Sequence, residues 1–380
     1  MHRWWIVEVF ILIMNSIIFR SDVFSRSHPQ FHPVSEDIHS GIIDMLNTFY
    51  SHIDLPSIAV KKLEGLEVNS SNYQLTTYDR VYSLKRINRP VDLELYRQQL
   101  SFSQTLLKKD VLFPRILLNR DDDLLSYQKN GFVWVLAEFV DGEYFSGSRE
   151  SFIPLANGIG KFQCHIANLP DERLPRSLAA DSWPSTFKSL SMLFQRRSEW
   201  STLFPSNEYQ VLLANCNLLS DLIDRIEHQS HSFSDRLVPT HIDLHPHNIL
   251  INDHNQPVFV DVESLQVAGE IQSLAFATYK LARQYVVHEK LQGEPQKIAR
   301  DTYQFVEHIC DSINLGSEKI HHFPTGATME VLRRIALIID LNINAKNYEW
   351  NAVLPMHFAA LKEIPVLFGE IISLDNYHSC

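Results

Sequence analysis

Residues 241–250 read HIDLHPHNIL, which puts three histidines, an aspartate and an asparagine within eight positions. A short apolar run follows, then a turn (NDHNQP), then VFV ending in Asp261 and Glu263. Two chemistries could use such a set. The order H-x-D-x-H-x-H offers imidazoles to zinc. It lacks the H-x-H-x-D-H order of metallo-hydrolases, and further ligands would have to come from elsewhere in the chain. Phosphoryl transfer from a nucleotide asks for something different: a carboxylate beside the acceptor hydroxyl, and oxygen ligands that hold magnesium on the phosphates. Asp243 can orient the hydroxyl and take its proton, while Asn248 and Asp261 can hold the metal. Asp, Asn and Pro also build plain turns. H-x-D-x-x-x-x-N is therefore suggestive alone, and the apolar strand ending in D-V-E at this distance makes it specific.

The elements that must position these groups can be read from periodicity. Residues 36–50, EDIHSGIIDMLNTFY, have helical apolar spacing. From 57 to 140 the pattern is mostly strand: SIAVKKLEG and NYQLTTYD around a polar loop, then RVYSLKRI. A helix follows over LELYRQQLSFSQTLLKK, then RILL, LLSY and FVWVLAEFV, with Asn130-Gly131 as a hairpin signal before the last run. The expectation is a small antiparallel sheet with one helix. DGEYFSG at 141–147 is a turn-rich break, and beyond it the chain is mainly helical, interrupted by the strands NILIND and PVFVDVE. The fold class is thus α+β with two lobes. Residues 1–45 read as an N-terminal extension (apolar segment plus a polar, proline-containing linker), 46–140 as an N-lobe, and 141–380 as a C-lobe; the resemblance of residues 241–263 to a known family implies nucleotide binding in the first lobe, and the catalytic loop and acceptor pocket in the second.

Bulk properties narrow the partners. The 380 residues are 45% hydrophobic and 21% charged, enough for a sizeable core, and the formal net charge of −11 disfavours a nucleic-acid partner. Cys164, Cys216, Cys310 and Cys380 are scattered without a CxxC pair, which argues against a thiolate zinc site and for a reducing, cytoplasmic setting. The apolar stretch 4–19 carries Glu8 and Asn15 and, at 16 residues, falls short of the ~20 that cross a bilayer. It reads as an amphipathic or buried helix, with membrane contact as the minority alternative.

HIDLHPHNIL followed by VFVDVES resembles the aminoglycoside phosphotransferase and choline kinase-like family of the protein-kinase-like fold, with Ile242 and His247 where that family usually has glycines. The resemblance spans roughly residues 57–290. It implies Asp243 as catalytic base, Asn248 and Asp261 as magnesium ligands, and Glu263 as a second-metal helper or a brace for the loop. His241 and His245 would be structural and His247 surface. It also implies a lysine on the third strand, and Lys85 in YSLKRIN stands there to hold phosphates. The loop EGLEVNSSNYQL would offer Gly65, Ser70, Ser71 and Asn72 to phosphate. Glu94 is the helix carboxylate expected to pair with Lys85, although Gln98 or Gln99 falls nearer the usual register. Glu138 to Val140 would meet adenine through backbone groups, and His165 reads as a packed helix residue. The function so implied is transfer of a γ-phosphate from ATP or GTP, with Mg2+, to a hydroxyl of an aminoglycoside-, choline- or homoserine-like small molecule. A catalytically inactive nucleotide-binding module is the alternative.

Overall fold

The computed structural model describes residues 19, 29–52, 58–64, 70–88, 90–127, 131–169, 174, 183–230, 233 and 235–378. The segment 4–18 and the positions of Gly65 and Asn130 lie outside the described residues.

The N-lobe is built on a six-stranded antiparallel sheet, ordered β1-β2-β3-β4-β6-β5. Its strands are β1 (Phe31–Pro33), β2 (Ala59–Leu63), β3 (Ser70–Thr76), β4 (Val81–Ile87), β5 (Ser126–Tyr127) and β6 (Val133–Glu138). Strand alternation divides the sheet into two faces. Tyr73, Leu75, Tyr82, Leu84, Trp134 and Leu136 share one face and pack against helix α1 (Glu36–Phe49). Ile42, Met45 and Leu46 of that helix, at three- and four-residue spacing, are its buried stripe. Ile87, Val133, Val135 and Ala137 share the other face and join helix α2 (Leu93–Leu107) in the main core. Asp92 caps α2, accepting from the Glu94 and Leu95 amides at 3.0 and 3.1 Å.

Two details of this lobe differ from the sequence reading. The stretch read as a linker supplies edge strand β1, which pairs with β2 in the register Phe31↔Leu63. RILL, read as a strand, makes only the isolated bridge Ile116↔Ala137. The sheet also carries a helix on each face rather than a single helix, because a two-sided apolar sheet needs cover on both sides.

The C-lobe begins with β7 (Glu143–Tyr144) and α3 (Arg149–Ile166), followed by α4 (Trp183–Gln195), α5 (Trp200–Leu203), α6 (Ser206–Ala214) and α7 (Cys216–Ser230). EYQVLLANCNLLSDLIDRIEHQ has continuous helical spacing, but the α6–α7 stretch is broken at Asn215, whose side-chain amide bonds back to the Val211 carbonyl at 2.8 Å. Next come β8 (Leu237–His241), the hairpin β9 (Ile249–Ile251) and β10 (Pro257–Phe259), and β11 (Leu265–Gly269). Helices α8 (Glu270–His288), α9 (Pro295–Ser312), α10 (Phe323–Asp340), α11 (Leu354–Leu367) and α12 (Gly369–His378) close the chain. The hairpin has the antiparallel register Pro257↔Ile251, and β9 also pairs with β7 from the turn-rich break. The β8–β11 ladder was not legible in sequence; β8 is short and carries Pro239 within it. Helix α8 is buried nearly all round and sits at the centre, with Tyr285 stacked on Phe152 of α3 at 4.2 Å and Phe152 on Phe305 of α9 at 4.3 Å. No helix among the described residues is long and apolar enough to cross a membrane.

Candidate active site

The loop 242–248 leaves β8 at His241 and returns into β9. His241 pairs with Leu265 in the β8–β11 ladder, so the start of the loop is fixed by two strands. The buried His241 ring lies 3.2 Å from the Val260 carbonyl through Nε2, and Nδ1 accepts the Asp243 amide at 3.3 Å. This pattern fixes Nε2 as the protonated nitrogen, and burial depresses the ring's pKa. Both nitrogens are therefore committed to the backbone, which removes this ring from a metal shell. His245 accepts the His247 amide at Nδ1, and its Nε2 stands 3.6 Å from Asp243 Oδ2. His247, read as surface, is half-buried, edge-on to Tyr144 at 5.3 Å, and lines the interlobe cavity. Asn248 donates from Nδ2 to the Asp243 carbonyl at 2.9 Å, which orients its Oδ1 as a remaining acceptor.

Asp243 itself is held by Arg334 of α10. One guanidinium nitrogen donates both to Asp243 Oδ1 and to the Ile242 carbonyl, each at 3.0 Å. Burial would raise the Asp243 pKa, but Arg334, His245, His241 and Lys280 outweigh it and hold the carboxyl at about 2.

The second loop follows β10. Asp261 takes a left-handed conformation (φ 67°), tolerated by aspartate more readily than by most side chains. Ser264 donates to its Oδ2 at 3.1 Å. Lys85 donates from Nζ to Asp261 Oδ1 at 2.8 Å and also to Glu263 Oε1, bringing residues from β4 and the second loop together. Burial alone would pull the Lys85 pKa down; the two carboxylates reverse this and keep it well above 10.5. Asp261 is kept ionised by Lys85 against its own burial, whereas burial and the neighbouring Asp261 charge raise Glu263.

A cavity of about 250 Å³ lies between the lobes, and Asn72, Lys85, Glu138, Val140, Asn248 and Asp261 are on its wall. Phe31 of β1 joins that wall and meets Phe139 edge-on at 6.0 Å. The other sequence candidates divide. Asn72 pairs across the sheet with Lys85 and so shares its face. Ser71 pairs with Arg86, on the opposite face, and its hydroxyl accepts from Asn88 Nδ2 at 3.0 Å; its side chain points away from the cleft.

Glu94 is a correction. It is bound to Arg97 and Gln98 on the exposed side of α2, 69% accessible, while Lys85 has Asp261 and Glu263 instead. One helical turn on, Gln99 faces inward and donates to the carbonyls of Glu263 and Leu265 at 3.1 and 3.0 Å. The rotation of the helix thus presents an amide, not a carboxylate, and it clamps the backbone of the second loop. His165 sits half-buried in the last turn of α3. Sequence reasoning missed Arg334, Lys280 and His357; the signal for the first was the pair Arg333-Arg334 inside the apolar helix MEVLRRIAL.

The donor set Asn248, Asp261 and Glu263 is all oxygen, which suits a hard cation such as magnesium that takes its remaining ligands from phosphates and water. Among the described residues, no group of three or more His, Cys, Asp or Glu side chains is arranged to hold a metal.

The model of the phosphotransferase enzyme family matches residues 62–295. No curated protein matches the sequence. Among solved structures, the chain is similar to a spectinomycin phosphotransferase in complex with ADP and spectinomycin, at TM-score 0.62 and 14% identity over 87% of this chain and 98% of that one. It is similar to an amicoumacin kinase bound to AMP-PNP and Ca2+, at TM-score 0.56 and 13% identity over 87% and 96%. A Plasmodium vivax ethanolamine kinase aligns at TM-score 0.57 and 13% identity over 88% and 90%. At these identities the likeness is one of fold, the two-lobed architecture described above.

Proposed function

We propose, starting from the fact that the chain belongs to the phosphotransferase enzyme family, that it is a Mg-ATP-dependent kinase acting on a hydroxyl of a small molecule. The observation that carries this reading is the meeting of Lys85 with Asp261 and Glu263 on the wall of the interlobe cavity that also takes in Asn248. The lobe up to residue 140 binds the nucleotide and residues 141–380 carry the catalytic loop and acceptor pocket. Backbone groups of Glu138 to Val140, on the cavity wall, meet the base, and Lys85 offers a point charge to the phosphates. Asp261 and Asn248 hold magnesium, and Glu263 braces or assists them. When bound, the ion neutralises charge on the β- and γ-phosphates.

Asp243 accepts a hydrogen bond from the acceptor hydroxyl. That oxygen bonds to the γ-phosphorus as the bond from phosphorus to the bridging oxygen breaks. ADP leaves with the electron pair, and the hydroxyl proton passes to Asp243. The low pKa of Asp243 suits orientation first and proton acceptance late, as a loose transition state requires. The nucleotide complexes among the similar structures support the nucleotide part of this reading.

The test is a thermal-shift screen of ATP, GTP and hydroxylated metabolites with and without magnesium, followed by ADP release on every stabilising compound. Magnesium-dependent stabilisation by a nucleotide and phosphate transfer to one acceptor are expected. Nucleotide binding with no transfer would favour the inactive module, and loss of both would end the kinase reading.

A further inference from the structure

One row of side chains crosses the cavity face of the N-lobe sheet, and its outermost member comes from the stretch that reads as a linker. Lys85 of β4 pairs with Val135 of β6 on one side and with Asn72 of β3 on the other. Lys62 of β2 pairs with Tyr73, so the next residue, Leu63, falls opposite Asn72. Phe31 of β1 pairs with Leu63. Cross-strand partners share a face, so Phe31, Leu63, Asn72, Lys85 and Val135 form one row, and all five are on the cavity wall. Parity agrees at the end of β1: Val34, three positions from Phe31, packs with the α1 core on the opposite face.

Neighbours hold β1 in place, since it has only three residues. The Glu64 amide donates to the Gln30 carbonyl at 2.8 Å just before it. Helix α1 follows it and seals the far face of the sheet through Ile42, Met45 and Leu46. In the sheet order β1 and β6 are separated by three strands, yet the Phe31 ring meets Phe139, the residue just after β6, edge-on at 6.0 Å. The curl of the sheet thus brings its edge round to the segment Glu138 to Val140. Phe31 lies upstream of residues 62–295, the span that matches the family.

The cavity wall has two chemistries. Lys85, Asp261 and Glu263 make part of it charged, while Phe31, Leu63, Ala137, Phe139 and Leu250 make part of it apolar. A nucleotide divides the same way, into phosphates and a flat aromatic base. Phe31 and Phe139 are each half-buried, so their mutual contact leaves ring surface open on the wall. A base gains from packing on such a ring, and a phosphate does not.

We propose that Phe31 is a nucleotide-binding residue: its ring, set against Phe139, packs on the base of the bound nucleotide. This rests on the kinase reading and deepens its nucleotide part. Strand β1 is then one wall of the base site as well as the edge of the sheet.

The experiment uses the full chain in Mg2+ and measures binding of AMP-PNP, adenosine and inorganic tripolyphosphate by calorimetry to the wild type, Phe31→Ala and Phe31→Leu. Phe31→Ala is expected to weaken AMP-PNP and adenosine by about three- to tenfold and to leave tripolyphosphate within about twofold. Phe31→Leu, which keeps apolar volume and loses the ring, should show the same pattern with a smaller loss. Circular dichroism and thermal unfolding show whether each variant is folded, and the leucine variant keeps the test open if Phe31→Ala is not. Unchanged AMP-PNP affinity in the folded variants, tighter binding on truncation (as removal of a plug would give), or an equal loss for tripolyphosphate and AMP-PNP would overturn the proposal. Nucleotide binding that is indifferent to Phe31 removes this inference alone; a wild-type chain that binds none of the three probes removes the kinase reading and this inference with it.

Discussion

Around Lys85 one cation is shared by two carboxylates, whereas around Asp243 the guanidinium of Arg334 reaches both Asp243 and Glu330, and Arg333 pairs with Glu330 as well. The two clusters belong to loops joined by the short hairpin β9–β10, yet the groups around their carboxylates differ. The consequence shows in the acids themselves: Glu263 is pushed up by burial and by its neighbour Asp261, and Asp243, against its own burial, is held down at about 2 by Arg334 and the groups around it. The first cluster has negative charge to spare and suits a divalent cation. Carboxylates take on different chemistry because their neighbours differ, and the neighbours come from distant parts of the chain.

The sharpest way to break this comparison is to neutralise each acid in turn. Asp243→Asn should lower turnover by about 10²–10⁴, the range for losing a general base, with nucleotide affinity and the circular dichroism spectrum unchanged. Steady-state kinetics that retain wild-type turnover would sink the assignment. Asp261→Ala should act on the other cluster, weakening nucleotide binding in magnesium by about tenfold or more and erasing the difference between titrations with and without the metal.

Smaller effects test the scaffold. Gln99→Leu strips two backbone carbonyls of their donor and should cost about 1–3 kcal/mol in denaturant unfolding, while Glu94→Ala on the outer side of the same helix should stay within about 0.5 kcal/mol. A further effect is confined to acid. His357 titrates near 6.5 when unfolded and near 3 when folded, so the unfolded chain binds the extra proton between those values. Stability should therefore fall as pH drops from 6.5 toward 3, and His357→Gln should flatten that slope in urea titrations at several pH values.

Local chemistry was legible in the sequence and long-range chemistry was not. The loop with Asp243 and Asn248, and the hairpin leading to Asp261, are contiguous, so their spacing carries their arrangement. Lys85 was found because the resemblance implies a lysine on the third strand, and the strand register sets it on the same face as Asn72. Ser71 and Asn72 show the limit: both read as loop donors, and strand parity sends one into the cleft and the other to the opposite face. Glu94 and Gln99 show it for a helix, where choosing a partner needs the rotation about the axis. Arg334 lies 91 positions from Asp243, beyond the reach of any local pattern.

The wrapping of the N-lobe by β1 and α1 has a practical corollary for anyone trimming this polypeptide. The span matched by the family begins at 62, downstream of both elements, and stops at 295, upstream of α10. A fragment cut to those limits would bare Tyr73, Leu75, Leu84, Trp134 and Leu136 to water. At about 1.5–3 kcal/mol for each large side chain, that exposure rivals the ~5–15 kcal/mol by which a whole domain is held together. Such a fragment would clump rather than fold, and it would have lost Arg334 as well.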